Sequence, residues 1–224
     1  MLARDVMTTR VITVQPDTPV EEIARLLLDS RISGVPVLDG DGEIVGLVSE
    51  GDLIRRAAGR QGSVLAALVG GSPREADATR PGGRVARDVM SKTVTIVEED
   101  TPVADIAVLL EKRRIKRVPV VRKGTLVGIV SRANLLHGLA AFSFTRSAAG
   151  DDRRIRSAVL ERLCSEAGID DRFVNVTVSN GIVHLWGAVE SEQKREAARQ
   201  VAANTPGVRA VNDHLGVLIP ELLS

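Results

Sequence analysis

The chain contains one run of residues twice. RDVMTTRVITVQPDTPVEEIARLLLDSRISGVPVLDGDGEIVGLVS (4–49) recurs as RDVMSKTVTIVEEDTPVADIAVLLEKRRIKRVPVVRKGTLVGIVS (87–131). The offset is 83 residues through the VPV triplets and 82 after them, because the DGDGE loop is one residue longer than its counterpart. Such a duplication requires a small fold made twice. Two copies packed about a pseudo-two-fold axis would present their clefts in pairs.

Within each copy the local signals agree. Val11, Ile12 and Val14 read as a short strand. Thr18-Pro19-Val20-Glu21 then offers an N-cap, a proline at the first helical position and the glutamate of a capping box. Val20, Ile23 and Leu27 fall on the inner face of the helix that follows. The runs VPVL and EIVGLVS are rich in β-branched residues and are separated by Asp39-Gly40-Asp41-Gly42, which predicts a hairpin. A second helix should begin near Ser49 and, in the second copy, near Ser131. Each copy is therefore predicted as β-α-β-β-α.

The rest of the chain reads differently. Residues 59–86 are a Gly, Pro and Ala-rich linker in which SVLAALV could form one short helix, and 142–152 is a second linker. Beyond it, Ile155, Val159, Leu160 and Leu163 mark an amphipathic helix, and Val174, Val176 and Val178 alternate as a strand. Ser179-Asn180-Gly181 turns the chain into IVHLWGAV, SEQKREAARQVAAN is a helix stopped by Pro206-Gly207, and VRAVNDHLGVLI is a last strand. This tail is α-β-β-α-β, and the fold class of the whole is α+β.

Composition limits the function. Formal net charge is +1, so no global field selects nucleic acid or membrane. Three Phe, one Trp and no Tyr leave few rings for bases to stack on, against a nucleic-acid partner. Cys164 has no partner within the chain and is read as a reduced, helix-buried thiol. The amino terminus lacks an uninterrupted apolar stretch and no membrane-spanning run follows, which makes the cytoplasm the expected compartment. P-loop, Gly-x-Ser-x-Gly and His-Glu-x-x-His motifs are missing, so no enzyme activity is expected. His137, His184 and His214 are far apart in sequence, without a carboxylate or cysteine at ligand spacing, and predict no metal site. Trp186 reads as packing or as a half-exposed anchor.

The duplicated unit resembles the CBS domain, and the tandem a Bateman module, through DVM, the helix opened by Thr-Pro, SGVPV and KRVPV, and the pair GLVSEGD and GIVSRAN. The tail resembles the BON domain through GIVHLWGAV and TPGVRAVNDHLGV. The expected division is CBS repeat 1 at 1–58, a linker at 59–86, CBS repeat 2 at 87–141, a linker at 142–152 and the BON domain at 153–220.

The CBS resemblance implies that the aspartate of Ser-x-x-Asp accepts hydrogen bonds from both ribose hydroxyls of an adenosine ligand. An ionised carboxylate offers only acceptors and suits that task. Ser49 and Asp52 fit the pattern, whereas the second copy has Ser131 with Asn134. Family sites are built crosswise, so the main site is expected from Ser49 and Asp52 with Thr95, Ile115, Lys116 and Arg117. Arg55 and Arg56 follow Asp52 at helical distance as phosphate contacts, and Arg113, Arg114, Arg122 and Lys123 add charge near the second hairpin. A weaker second site would combine Ile12, Ile32, Ser33 and Gly34 with Ser131 and Asn134. Ser49 and Asp52 are equally favoured N-caps, and capping is the competing explanation for both.

The expected function is a non-catalytic sensor that binds AMP, ADP or ATP, in preference to S-adenosylmethionine, and transmits occupancy to the tail or to a protein partner. The family implies a homodimer. Two alternatives remain: a phospholipid-associated adaptor acting through the tail, and a protein-interaction module with empty clefts. The tail carries 9 basic and 11 acidic side chains, a poor match to anionic lipid.

Overall fold

The computed structural model describes residues 1–55, 85–141, 150–170 and 173–218. Arg56, the run SVLAALV and residues 142–149 of the second linker lie outside the described residues. The chain is mixed α and β and divides into two compact units, one of Ile12–Thr95 with Gly124–Leu126, the other of Met1–Val11, Ile96–Lys123 and Val127–Ser224. These units do not follow the linear order of the repeats.

In the first unit, helix α2 (Val20–Asp29) covers the antiparallel hairpin of β1 (Gly34–Leu38) and β2 (Ile44–Ser49). Its buried Ile23 and Leu27 meet Val35, Val37 and Val48 in one core. Asp39 ties the hairpin turn, its Oδ1 accepting from the N–H groups of Asp41 at 3.1 Å and Glu43 at 2.9 Å. The turn prediction holds.

Two predictions fail locally. Pro19, not Thr18, is the N-cap of α2, and no side chain caps it. Thr18 is used elsewhere: its hydroxyl oxygen accepts from the Gln15 N–H at 3.0 Å and its carbonyl from Ala86 at 2.8 Å. The strand expected from Val11 to Val14 reduces to one bridge between Val14 and Val37. Val11 and Ile12 pair with no strand among the described residues, so their β-branched side chains alone do not make one.

Helix α3 (Ala86–Val89) belongs to the second sequence repeat yet packs on the first hairpin. Ser91 and Leu47 exchange backbone hydrogen bonds at 2.9 and 3.1 Å, and Met90 presses on Gly46. The other unit does the reverse. Helix α1 (Ala3–Val6), from the first repeat, lies on the second hairpin, where Thr8 and Ile129 exchange bonds at 3.0 Å and Met7 presses on Gly128. A Cβ on Gly128 would stand 2.4 Å from Met7 Sδ, which explains why both copies keep glycine there. The DVM segment of each repeat is thus exchanged.

Strand β3 (Val97–Glu98) runs parallel to β4 (Arg117–Arg122), which neighbours β5 (Thr125–Ser131). Helices α4 (Val103–Lys112) and α5 (Arg132–Ala141) accompany this sheet, and Val6, Ile106, Leu110, Val118, Val120 and Val130 fill its core.

The tail is α-β-β-α-β as predicted: α6 (Asp151–Ala167), β6 (Val174–Ser179), β7 (Ile182–Val189), α7 (Glu192–Ala203) and β8 (Ala210–Val217). Strand β7 is central, antiparallel to β6 and parallel to β8. Asn180 and Gly181 both have positive φ, 52° and 76°, as a two-residue turn between twisted strands demands. Buried Asp152 takes both their N–H groups, at 2.9 and 2.8 Å. Gly168 ends α6 in the left-handed conformation, and Ser191 caps α7 by accepting from Lys194 N–H at 3.2 Å.

Candidate functional site

Ser49 closes β2, and residues 50–55 are helical. The Asp52 carboxylate reaches back to this junction: Oδ2 accepts from the Ser49 N–H at 2.8 Å and from its hydroxyl at 2.6 Å. Asp52 therefore takes part in capping, as the third-position partner of a capping box. Capping, the competing explanation from the sequence, accounts for one of its two oxygens. Oδ1 faces Arg55 Nη2 at 2.5 Å; the Asp52 side chain is 9% exposed and that of Arg55 73%. Asp52 is thus a nearly buried carboxylate whose second oxygen is covered by a solvent-exposed cation.

The second repeat uses the same frame for another purpose. Asn134 Oδ1 accepts from the Ser131 N–H at 2.8 Å and hydroxyl at 2.6 Å, copying Asp52. Its Nδ2 then donates to the Val6 carbonyl at 3.0 Å and to Thr8 Oγ1 at 3.4 Å. Asn134 is 6% exposed. A carboxylate has no hydrogen to give Val6, so the amide is what this position requires. The sequence reading of Asn134 as a weakened ribose ligand misses this task. Its signal would have been the exchanged segment at Val6 to Thr8, which local sequence does not reveal.

The remaining predicted site residues divide between the units. Ile12, Ile32, Ser33, Gly34 and Thr95 belong with Ser49 and Asp52, whereas Ile115, Lys116 and Arg117 belong with Ser131 and Asn134. Ile12 and Ile32 are packed against the first core and Ile115 against the second. Ser33 and Lys116 hold equivalent places, their carbonyls accepting from the first helical N–H after each hairpin, Glu50 at 3.1 Å and Arg132 at 3.2 Å. Gly34 pairs with Ser49, and a Cβ there would meet the Val48 carbonyl oxygen at 3.0 Å. Arg122 is engaged by Glu99 through two bonds of 2.7 and 2.6 Å, and Arg122 holds the Glu99 carboxyl below its usual range.

A second constellation joins the tail to the second repeat. Arg156, 6% exposed, donates from Nε to the Val176 carbonyl at 2.7 Å, from Nη2 to that of Met7 at 2.6 Å and from Nη1 to that of Arg4 at 3.3 Å. Arg153 adds an ion pair to Asp5 at 2.8 Å. Beside them the three histidines and the only tryptophan converge. Trp186 stacks on His214 with centroids 3.9 Å apart and on His137 at 5.1 Å, while His184 Nδ1 lies 3.3 Å from His214 Nε2. His184 and Trp186 share a strand face at spacing two, and Trp186 pairs with His214, so part of the cluster was legible as strand periodicity. His137, on α5, carried no such signal. Among the described residues no group of three or more metal-ligating side chains is placed to hold an ion. No helix among them is long and apolar enough to cross a membrane.

Two parallel descriptions of this architecture exist among known proteins. The CBS domain family model matches residues 3–59 and 86–141, and the BON domain model residues 151–218. The chain belongs to the CBS domain family, as a tandem pair followed by a BON domain. CBS domain-containing protein CBSX1, chloroplastic, of Arabidopsis thaliana is 35% identical over 144 residues, 60% of this chain and 60% of that protein's length. The uncharacterized protein MJ1426 of Methanocaldococcus jannaschii is 32% identical over 156 residues, covering 62% of this chain and 91% of that one. The CBS pair of MJ0100, crystallised with 5-methylthioadenosine and S-adenosyl-L-methionine, shares the fold at TM-score 0.50 and 23% identity over 62% of this chain and 99% of that one. The crystal structure of CBSX2 in complex with AMP aligns at TM-score 0.49 and 29% identity, over 62% and 96%. CBS-domain proteins are generally regulatory and non-catalytic.

Proposed function

We propose that the protein is a non-catalytic regulator whose CBS pair takes an adenine nucleotide, AMP, ADP or ATP, with the ribose on Asp52. The observation that carries this reading is the difference between Asp52 and Asn134. Both cap a helix, but only Asp52 retains an acceptor oxygen facing a solvent-exposed cation rather than a backbone carbonyl. An ion pair with a 73% exposed arginine is weak, so ribose hydroxyls can replace Arg55 at little cost. Arg55 is then free to turn to the phosphate. By resemblance to the family, Thr95, in the same unit as Asp52, adds to the ligand's surroundings, and Ser131 with Asn134 forms no second ribose site.

Transmission to the BON domain is the other half of the proposal. The segment from Arg4 to Thr8 is held by Asn134 on one side and by Arg156 of the BON domain on the other, which supports a mechanical link between the second repeat and the tail. The regulator is proposed to act as a homodimer on a protein partner in the cytoplasm.

Titration calorimetry with AMP, ADP, ATP and S-adenosylmethionine, on protein shown by mass spectrometry to be ligand-free, tests the reading. Binding of a phosphorylated adenosine that weakens at least tenfold in Asp52→Asn is expected. No binding, or equal binding by Asp52→Asn, overturns it.

A further inference from the structure

The cluster at the seam between α5 and the BON sheet contains every histidine in the chain. Strand β7 supplies His184 and Trp186, β8 supplies His214, and α5 of the CBS repeat supplies His137. Strand β6 contributes only neutral groups: Asn175, 3.4 Å from His137 Nδ1, and Thr177, whose hydroxyl oxygen accepts from Trp186 Nε1–H at 3.0 Å. The charges that bear on His137 and His184 come from His214. The neighbouring Asp213 is turned to Arg195, at 2.8 Å.

The geometry distinguishes proton chemistry from metal chemistry. His184 and His214 have centroids 5.5 Å apart and ring planes 8° apart, with the facing nitrogens 3.3 Å apart. Each ring nitrogen lies roughly 1.1 Å from its centroid, so nitrogens and centroids fall nearly on one line, as in an N–H···N bond and unlike lone pairs converging on an ion. That bond survives a first proton and fails on a second, when two N–H groups would face each other. His214 is exposed and stacks closely on Trp186.

His137 is different because it lies across the seam. Its neutral Nδ1 accepts from Asn175 Nδ2, a group on β6, and this contact together with the Trp186 stack joins the CBS helix to the BON sheet. Protonation removes that acceptor and places a second cation near His214. We propose that His137 is a proton-operated latch between the second CBS repeat and the BON domain, closed when neutral and opened when charged. The Arg156 clasp on the Met7 and Arg4 carbonyls does not titrate and holds the domains together as the latch opens.

Burial, first, and then the charge of His214 push the His137 imidazole below its ordinary value of 6.5. The closed form therefore binds fewer protons than the open one. Closure is complete above about pH 6.5 and loses up to about tenfold in population per pH unit below it, until the closed form itself titrates.

Hydrogen exchange on the full chain, corrected for intrinsic rates, is compared at about pH 7.5 and about pH 5. Trp186 fluorescence is followed in parallel, since no other tryptophan or tyrosine contributes. Protection of residues 132–141 and 174–179 is expected to fall at least threefold at the lower pH in wild type and to stay constant in His137→Gln. In His214→Gln the fall should be smaller and should set in at lower pH, because a charge that repels protonated His137 in the closed form is gone, a result that a purely structural role for the stack does not give. Unchanged protection in wild type, an equal fall in His137→Gln, or no shift in His214→Gln overturns the proposal.

Discussion

Exchanging the residues at the two equivalent caps isolates what each does. In Asn134→Asp the Ser131 donors still meet an oxygen, but the Val6 carbonyl, now 3.0 Å from a second oxygen, loses its donor. An unsatisfied buried carbonyl costs about 1–3 kcal/mol, and an unpaired, largely buried charge beside it adds about as much again. The expected loss is about 2–6 kcal/mol at neutral pH, a large share of a typical domain's stability. The reverse change, Asp52→Asn, keeps both Ser49 bonds and gives up only the pair with exposed Arg55, so the expected loss is under about 1 kcal/mol. The pH dependence adds a sign. The carboxyl introduced at 134 has a folded pKa raised above the unfolded value of about 3.9. Protonated, it donates to Val6, so the deficit is full above the folded pKa and shrinks as pH falls through it. Urea denaturation followed by circular dichroism, at neutral and acidic pH, measures all three quantities. Equal losses in the two variants, or a loss in Asn134→Asp that does not shrink in acid, would refute the assignment of Asn134 as the amide that bridges to Val6.

Three further outcomes are expected. Arg156→Met leaves carbonyls of Met7, Arg4 and Val176 without their buried guanidinium and should cost about 3–5 kcal/mol, with hydrogen exchange rising first in residues 1–11; a loss under about 1 kcal/mol would show the clasp to be incidental. Gly187→Ala should prevent the BON sheet from forming, since φ is 116° and the new Cβ would stand 2.0 Å from the Phe173 carbonyl oxygen; a native β spectrum in that variant would contradict the close approach. Gly128→Ala should cost about 1–3 kcal/mol by displacing Met7, and Met7→Ala in the same chain should return part of it, a coupling that a double-mutant cycle reads directly.

Much of the fold was legible because its signals are short-range. The hairpin at Asp39–Gly42, the Asn180–Gly181 turn and the alternation of Val174, Val176 and Val178 each depend on neighbours a few residues away. The Thr18 cap was misread because a distant N–H, that of Ala86, claims its carbonyl and recasts the turn. Of the candidate site, sequence isolated Ser49 and Asp52 and the asymmetry with Asn134, but not its cause.

By itself, then, the sequence determined the duplication, the two CBS repeats, the α-β-β-α-β tail and the replacement of the Asp52 carboxylate by the Asn134 amide after matching strands. Tertiary structure decided what that difference means. Asn134 meets Val6 across 128 residues and Arg156 meets Met7 across 149, and His137 reaches Asn175 across 38. No local periodicity encodes such pairs: they exist because the DVM segments are exchanged between hairpins and because a buried carbonyl must find a donor wherever the chain supplies one.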